Sequence, residues 1–327
     1  MAILAAIPMA FIPAFFFSWF LYWLDRYEKE PRWLLLATFF WGGFVAIIGT
    51  LIVATIFEIG FSFVLNDAVL EDIAGGSITA PLVEEFMKGL AVMIVFFMFR
   101  KEFDSILDGV IYGGIAGLGF AATENVFYFL GQYSDAGWGG MFANFALRVG
   151  VFAWGHPFYT AFTGLGFAVA RMNRNILVKF AAPFVGYFLA VMAHSFHNTS
   201  LVFVTGLGSL ALIILLEWGG WLIFLGFIIW LIRHEQGLLK KHLPEEVASG
   251  LISAAQFKTA VSFFQFSARM AALSGGAYRA TDHFYQYLGE LAHKKEQLEK
   301  FGDERGNATI IQKHRESIRA LAPKAKT

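Results

Sequence analysis

Pro81-Leu82-Val83-Glu84-Glu85-Phe86-Met87-Lys88-Gly89-Leu90 opens a run, residues 80–99, that is otherwise apolar enough to lie in lipid. A carboxylate at bilayer depth costs about 2.5–3.5 kcal/mol on insertion scales, so two adjacent ones with a lysine one turn on need partners or a task. Glu84 and Lys88 share a helix face at i,i+4. The segment is therefore read first as part of a functional site inside a membrane.

The rest of the chain agrees with that setting. Its 327 residues are 57% hydrophobic and only 15% charged, with a mean hydropathy of +0.59, far from the roughly 25% charged residues of ordinary soluble domains. Seven runs are long enough for a hydrocarbon core of about 30 Å: residues 3–24, 33–65, 80–99, 106–130, 142–170, 176–204 and 207–232. The first run has no basic leader, contains Pro8 and Pro13 and ends in Asp25-Arg26-Tyr27-Glu28-Lys29-Glu30 without a small-residue cleavage site, so it reads as a span. The fold class is all-α, a polytopic transmembrane bundle of seven to eight spans. Absence of cysteine excludes disulfides and thiolate chemistry.

Lys and Arg fall between alternate spans. The first connection carries Arg26, Lys29 and Arg32, the third Arg100 and Lys101, and the fifth Arg171, Arg174 and Lys179; the second, fourth and sixth carry none. By the positive-inside rule this places the N-terminus outside and the C-terminus in the cytoplasm. Residues 1–232 form the membrane core. Residues 233–327 read as a cytoplasmic helical region, either a small bundle or an amphipathic tail lying on the inner membrane surface, with helical stretches at 244–273, 277–301 and 308–321 and a break at Ser274-Gly275-Gly276.

Polar residues within the spans gather at one depth. Glu84 and Glu85 lie just below the outer end of the third span. Glu124, beside Asn125, returns to that level in the fourth, His156 enters from the fifth next to a helix-kinking Pro157, and the sixth carries His194, His197 and Asn198. Six of these, Glu84, Glu85, Glu124, His156, His194 and Asn198, have the chemistry of hydrolysis. One carboxylate takes a proton from water, a second acid or imidazole protonates the leaving amine, and an amide with an imidazole stabilises an oxyanion. Lys88, Asn125 and His197 are supporting residues. Glu58 and Glu217 read as structural or snorkelling, Arg148 as an interfacial anchor, and Gly109, Gly113 and Gly117 as a packing stripe. Gly75-Gly76-Ser77 reads as a flexible outer connection able to gate entry.

Glu84-Glu85-x-x-Lys88, then Phe120-x-x-x-Glu124-Asn125, then His156, then His194-x-x-x-Asn198 resembles the PrsW family of intramembrane proteases, related in the membrane core to the CAAX prenyl endopeptidases. The resemblance covers about residues 3–232. It implies an eight-helix core in the bacterial cell membrane that cleaves a membrane-anchored protein, such as an anti-sigma factor, near its extracytoplasmic side. It also implies that Glu84 activates water, with Glu85 in support, while His194 and Asn198 line the oxyanion. The CAAX enzymes have histidine where this chain has Glu124, so either Glu124 or His156 partners Glu84. Glu124, His156 and His194 could hold zinc with a position left for water; no His-Glu-x-x-His signature is present, and a metal-free glutamate mechanism is preferred. The partners expected are the protein substrate and the lipid bilayer, with no nucleic acid. A proton- or cation-coupled transporter and an inactive scaffold are the competing classes; the inner halves of the spans, bare of polar groups apart from Asp108, argue against transport.

Overall fold

The structure is a computed structural model that describes residues 1–64, 67–303 and 306–327; Leu65, at the end of the second expected run, lies outside them. The described residues are helical, with no strand among them. They divide into two compact units: Met1–Tyr22 with Glu30–Gly226, and Trp23–Lys29 with Phe227–Thr327.

The first unit is built from α1 (Ala2–Leu24), α2 (Arg32–Phe40), α3 (Ile47–Val64), α4 (Ala68–Ile73), α5 (Ala80–Met98), α6 (Ile106–Phe145), α7 (Gly155–Arg171), α8 (Ile176–Val202) and the start of α9 (Leu207–His242). Among the described residues five segments are long and apolar enough to cross a membrane: Ala2–Leu24, Arg32–Gly60, Ile106–Arg171, Ile176–Val202 and Leu207–Ala248. Two further facts bear on the expected seven. α5 is 19 residues long and carries Glu84, Glu85 and Lys88, and the segment Ile106–Arg171 turns back on itself.

That turn is at Gly137, whose φ of 64° and ψ of −154° suit only glycine. Beyond it the chain descends along α6: Met141 joins Phe129 in a buried cluster, and the rings of Phe145 and Phe129 lie 5.9 Å apart. The descent is interrupted once, by a wide π turn at Ala146–Val151 followed by the non-helical Phe152 and Trp154. The kink expected at Pro157 is not there. α7 starts at Gly155, so Pro157 sits in the first turn, where a missing N–H breaks no helical hydrogen bond.

The glycine stripe sets the register of this hairpin. A Cβ at Gly109, Gly113 or Gly117 would run into the carbonyl oxygens of Gly164, Thr160 and His156 respectively. Contacts four residues apart on α6 thus meet contacts four apart on α7, and the backbones touch. Gly166 and Gly186 bring α7 and α8 together in the same way, against Ala182 and Phe162. α7 is therefore held between α6 and α8, with α5 packed against all three. Gly113→Ala is expected to cost about 1–3 kcal/mol through overpacking, whereas Gly131→Ala, with nothing within 4 Å of its Cβ position, should be neutral or stabilising. Thermal unfolding of the two variants in detergent checks this; equal midpoints would refute the close approach.

Asp108 is a capping residue. Its carboxylate accepts from the backbone N–H of Asp104 at 2.7 Å and Ser105 at 2.6 Å, while Ser105 Oγ accepts from the Asp108 N–H at 3.2 Å. The sequence Ser105-x-x-Asp108 is thus a capping box that starts α6.

In the second unit the stretch expected over 244–273 is three short helices, α10 (Pro244–Ala248), α11 (Ala254–Ala260) and α12 (Phe266–Ala271), followed by α13 (Tyr278–Phe301) and α14 (Asn307–Leu321). Gly250 and Gly276, at φ of 75° and 66°, make two of the breaks. The segment Trp23–Lys29 belongs to this unit: a Cβ at Gly289 would strike the Tyr27 carbonyl, and His293 Nδ1 lies 2.7 Å from Glu28 Oε2. Arg315 reaches Glu246 with Nε at 3.1 Å and Nη2 at 2.7 Å, clamping α14 to α10.

Candidate active site

Five of the six residues singled out as catalytic meet through side-chain contacts. Glu85 and Lys88 are fully buried on α5, with Nζ 2.5 Å from Glu85 Oε1 and 3.5 Å from Glu84 Oε2. From α8, His194 Nδ1 lies 3.0 Å from Glu85 Oε1 and its Nε2 3.8 Å from Glu84 Oε2. From α7, Thr160 Oγ1 donates to Glu85 Oε2 at 2.8 Å, and His156 Nδ1 lies 3.1 Å from Lys88 Nζ. His156 Nε2 is 3.0 Å from Glu124 Oε2 on α6. The Lys88 ammonium also sits 4.3 Å from the centre of the Phe120 ring.

The glycine contacts explain this meeting. Gly117 against the His156 carbonyl fixes the top turn of α7 beside α6, and Glu124 follows two helical turns later on α6. Thr160 comes one turn below His156 on the same face and so reaches Glu85.

Arg148, read from the sequence as an interfacial anchor, contacts the candidate site. Its guanidinium pairs with Glu124, its Nε donates to Asn125 Oδ1 at 2.5 Å, and it lies 3.7 Å from the centre of the Tyr128 ring. The π turn at Ala146–Val151 carries it there, and such turns concentrate at functional sites. Glu217 is likewise engaged: its Oε1 lies 2.6 Å from His197 Nδ1, joining α9 to α8. Asn198 points elsewhere, its Nδ2 donating to the Gly76 carbonyl at 2.8 Å. That carbonyl lies in a π turn, Ala74–Thr79, leading into α5, so Gly75-Gly76-Ser77 is helical and Ser77 is buried. Tyr159, not singled out in the sequence, stacks on His194 with centroids 4.9 Å apart and an 18° tilt.

The donor set suits a divalent metal. Ligating atoms of Glu84, His156 and His194 all lie within 4.8 Å of one another. Glu85 takes up His194 Nδ1 and Glu124 takes up His156 Nε2. Each imidazole is thereby oriented by a carboxylate through one nitrogen, as behind many metal-bound histidines; the second nitrogen of His194 faces Glu84 at 3.8 Å, and that of His156 faces Lys88 Nζ at 3.1 Å, which an ion there would have to displace. The expected set of Glu124, His156 and His194 changes in one member. Arg148 claims the Glu124 carboxylate, and Glu84 stands in its place. A cation already stands against this group: Lys88 Nζ, between His156 Nδ1 and the two α5 carboxylates.

Fold and site together define an all-helical integral membrane protein with a buried carboxylate–imidazole centre. A family model described as PrsW family intramembrane metalloprotease matches residues 30–231, and the chain belongs to that family. It is 34% identical to the protease PrsW of Geobacillus kaustophilus (strain HTA426) over 112 residues, 34% of this chain and 46% of that protein. Against the protease PrsW of Bacillus subtilis (strain 168) it is 32% identical over 119 residues, 35% and 48% of the two chains. A longer match, 24% identical over 194 residues, joins 59% of this chain to 81% of the protease PrsW of Halalkalibacterium halodurans. The chain thus spans about half the length of the first two relatives. No solved structure shows significant similarity to it.

Sequence reading missed Thr160 and Tyr159 and gave Arg148 another role, while the interhelical pair of Glu217 with His197 agrees with the structural reading of Glu217. The signals were present for two of them: Thr160 is i+4 from His156, and Arg148 is a lone guanidinium in an apolar run. Tyr159 carries no such mark.

Proposed function

We propose that this protein is an intramembrane endopeptidase that cuts a membrane-anchored protein, an anti-sigma factor being the expected class, near its extracytoplasmic side. The observation that carries the reading is the convergence of Glu84, His156 and His194, each imidazole backed by its own carboxylate, inside helices apolar enough to exclude bulk water. We place the metal on these three residues, in preference to the metal-free form favoured by the sequence. When bound, a divalent ion there polarises a carbonyl and lowers the pKa of water, the standard contribution of a metal to peptide hydrolysis.

The chain's own residues divide the remaining work. Glu85 has both oxygens engaged, by Lys88 and His194 on one side and Thr160 on the other, so it orients and does not accept a proton from water. Glu124 uses Oε2 for both Arg148 and His156 and keeps 17% side-chain exposure; it is the carboxylate left to take the proton. Lys88, an ammonium fixed among buried groups, is placed to offset negative charge developing on the scissile carbonyl oxygen. Asn198 secures the entry to α5 through Gly76.

The proposed topology has seven crossings, by α1, α2 with α3, α5, α6, the descending run ending in α7, α8 and α9. The N-terminus is outside and the C-terminus cytoplasmic, as the alternation of basic connections requires. A proteomic comparison of cells expressing the wild type or Glu124→Gln tests the activity. Extracytoplasmic fragments of single-span proteins should be released only by the wild type, and identical fragment sets would sink the protease reading.

A further inference from the structure

The second unit carries an apolar face with no exposed charge. Between Ser262 and Gly276 the one charged residue is Arg269, which is buried with its Nε 2.9 Å from Asp282 Oδ1. The polar Gln265 is buried as well, donating to the Ala260 carbonyl at 3.1 Å. What faces outward is Phe264 at 65%, Met270 at 55% and Leu273 at 53% exposure, beside the exposed Phe263 and Phe266. In α12 Ala268 and Arg269 are turned inward, and Phe266 and Met270 are exposed beside the small Ser267 and Ala271, so its one charge is inward and its large apolar side chains outward.

Two tethers fix where this face lies. Arg26, two residues beyond the end of the membrane-length helix α1, donates from Nη1 to the Phe263 carbonyl at 3.1 Å. Its guanidinium is stacked between the rings of Trp23, at 3.7 Å, and Phe263, at 4.3 Å. Gln236, four residues past the end of the apolar run in α9, donates to the Val261 carbonyl at 2.6 Å. Within the second unit, the turn that starts the apolar face is therefore held by residues that directly follow the apolar runs of α1 and α9 in the chain, where a membrane-crossing segment meets the headgroups. Lys258 and Arg279, both exposed, flank it in the sequence, and Arg233 and Lys240 are exposed on α9. Apolar insertion rimmed by basic residues is the pattern of a helix lying in the interface of an anionic membrane.

We propose that Phe263, Phe264, Phe266, Met270 and Leu273 insert into the lipid headgroup–acyl boundary, making α12 an interfacial membrane anchor for the second unit. Because the chain has no cysteine, Phe264→Cys, Met270→Cys and, as a control on an exposed position of α14, Lys313→Cys each give one labelling site in the full-length protein. An environment-sensitive fluorophore is attached to each variant in nanodiscs of phosphatidylethanolamine and phosphatidylglycerol. The labels at 264 and 270 should lose quenching by aqueous iodide relative to 313 and gain quenching by nitroxides placed high on the acyl chains. Iodide quenching at both equal to that at 313 would overturn the proposal. So would protection from iodide without nitroxide quenching, which would mean that protein covers the face. Unchanged helical circular dichroism confirms that each variant is folded.

Discussion

Glu84→Gln is expected to abolish cleavage while leaving the protein folded. The loss should be roughly a thousandfold or more, since a catalytic metal contributes several kcal/mol and about 1.4 kcal/mol is tenfold in rate. The substitution keeps the shape of the side chain, and Lys88 retains its closer partner Glu85 at 2.5 Å in place of the 3.5 Å contact to Glu84. Fragment release from a co-expressed single-span protein, measured alongside the thermal midpoint in detergent, separates chemistry from folding. Activity within tenfold of wild type would remove Glu84 from the centre of the site.

The largest effect on stability is expected at Lys88. It is fully buried and shared among Glu84, Glu85 and His156, so Lys88→Met leaves uncompensated carboxylate charge in a low-dielectric interior. Removing one partner of a buried pair costs about 3–5 kcal/mol. Glu85→Gln should also destabilise, because Glu85 holds Lys88, His194 and Thr160 together. The double variant Lys88→Met with Glu85→Gln should cost clearly less than the two single losses added, since each removes the other's unpaired charge. Detergent unfolding midpoints of the four proteins give the coupling directly. Strict additivity would show that the short Lys88–Glu85 contact does not act as a pair.

The sequence made the membrane setting legible because hydropathy is a sum over many residues. It also pointed to Glu84, Glu85, Glu124, His156 and His194, because ionisable groups stand out against apolar neighbours. What it concealed depends on backbone irregularity. The π turn that swings Arg148 onto Glu124 and the turn whose Gly76 carbonyl takes up Asn198 leave no mark in a 3.6-residue pattern. The reversal at Gly137 was hidden for a related reason: glycine is frequent in membrane helices, and only its positive φ distinguishes a turn from a packing contact. That Glu84, and not Glu124, lies with His156 and His194 in one close group of ligand atoms is likewise a matter of tertiary geometry. The stripe Gly109, Gly113, Gly117 was readable as packing; that it also sets the position of His156 became clear only from the carbonyl it meets.

The central claim is that Glu84, His156 and His194 form one metal site with protein carboxylates behind the imidazoles. The direct test is the zinc content of detergent-purified full-length protein after equilibration with zinc and removal of the excess. The account predicts about one ion per chain in the wild type and in Asn198→Ala, and loss of that ion in Glu84→Gln and in His194→Ala, as for a three-ligand site missing one ligand. Zinc content unchanged by Glu84→Gln, or a wild type that binds none and cleaves at full rate in the presence of chelator, would contradict it.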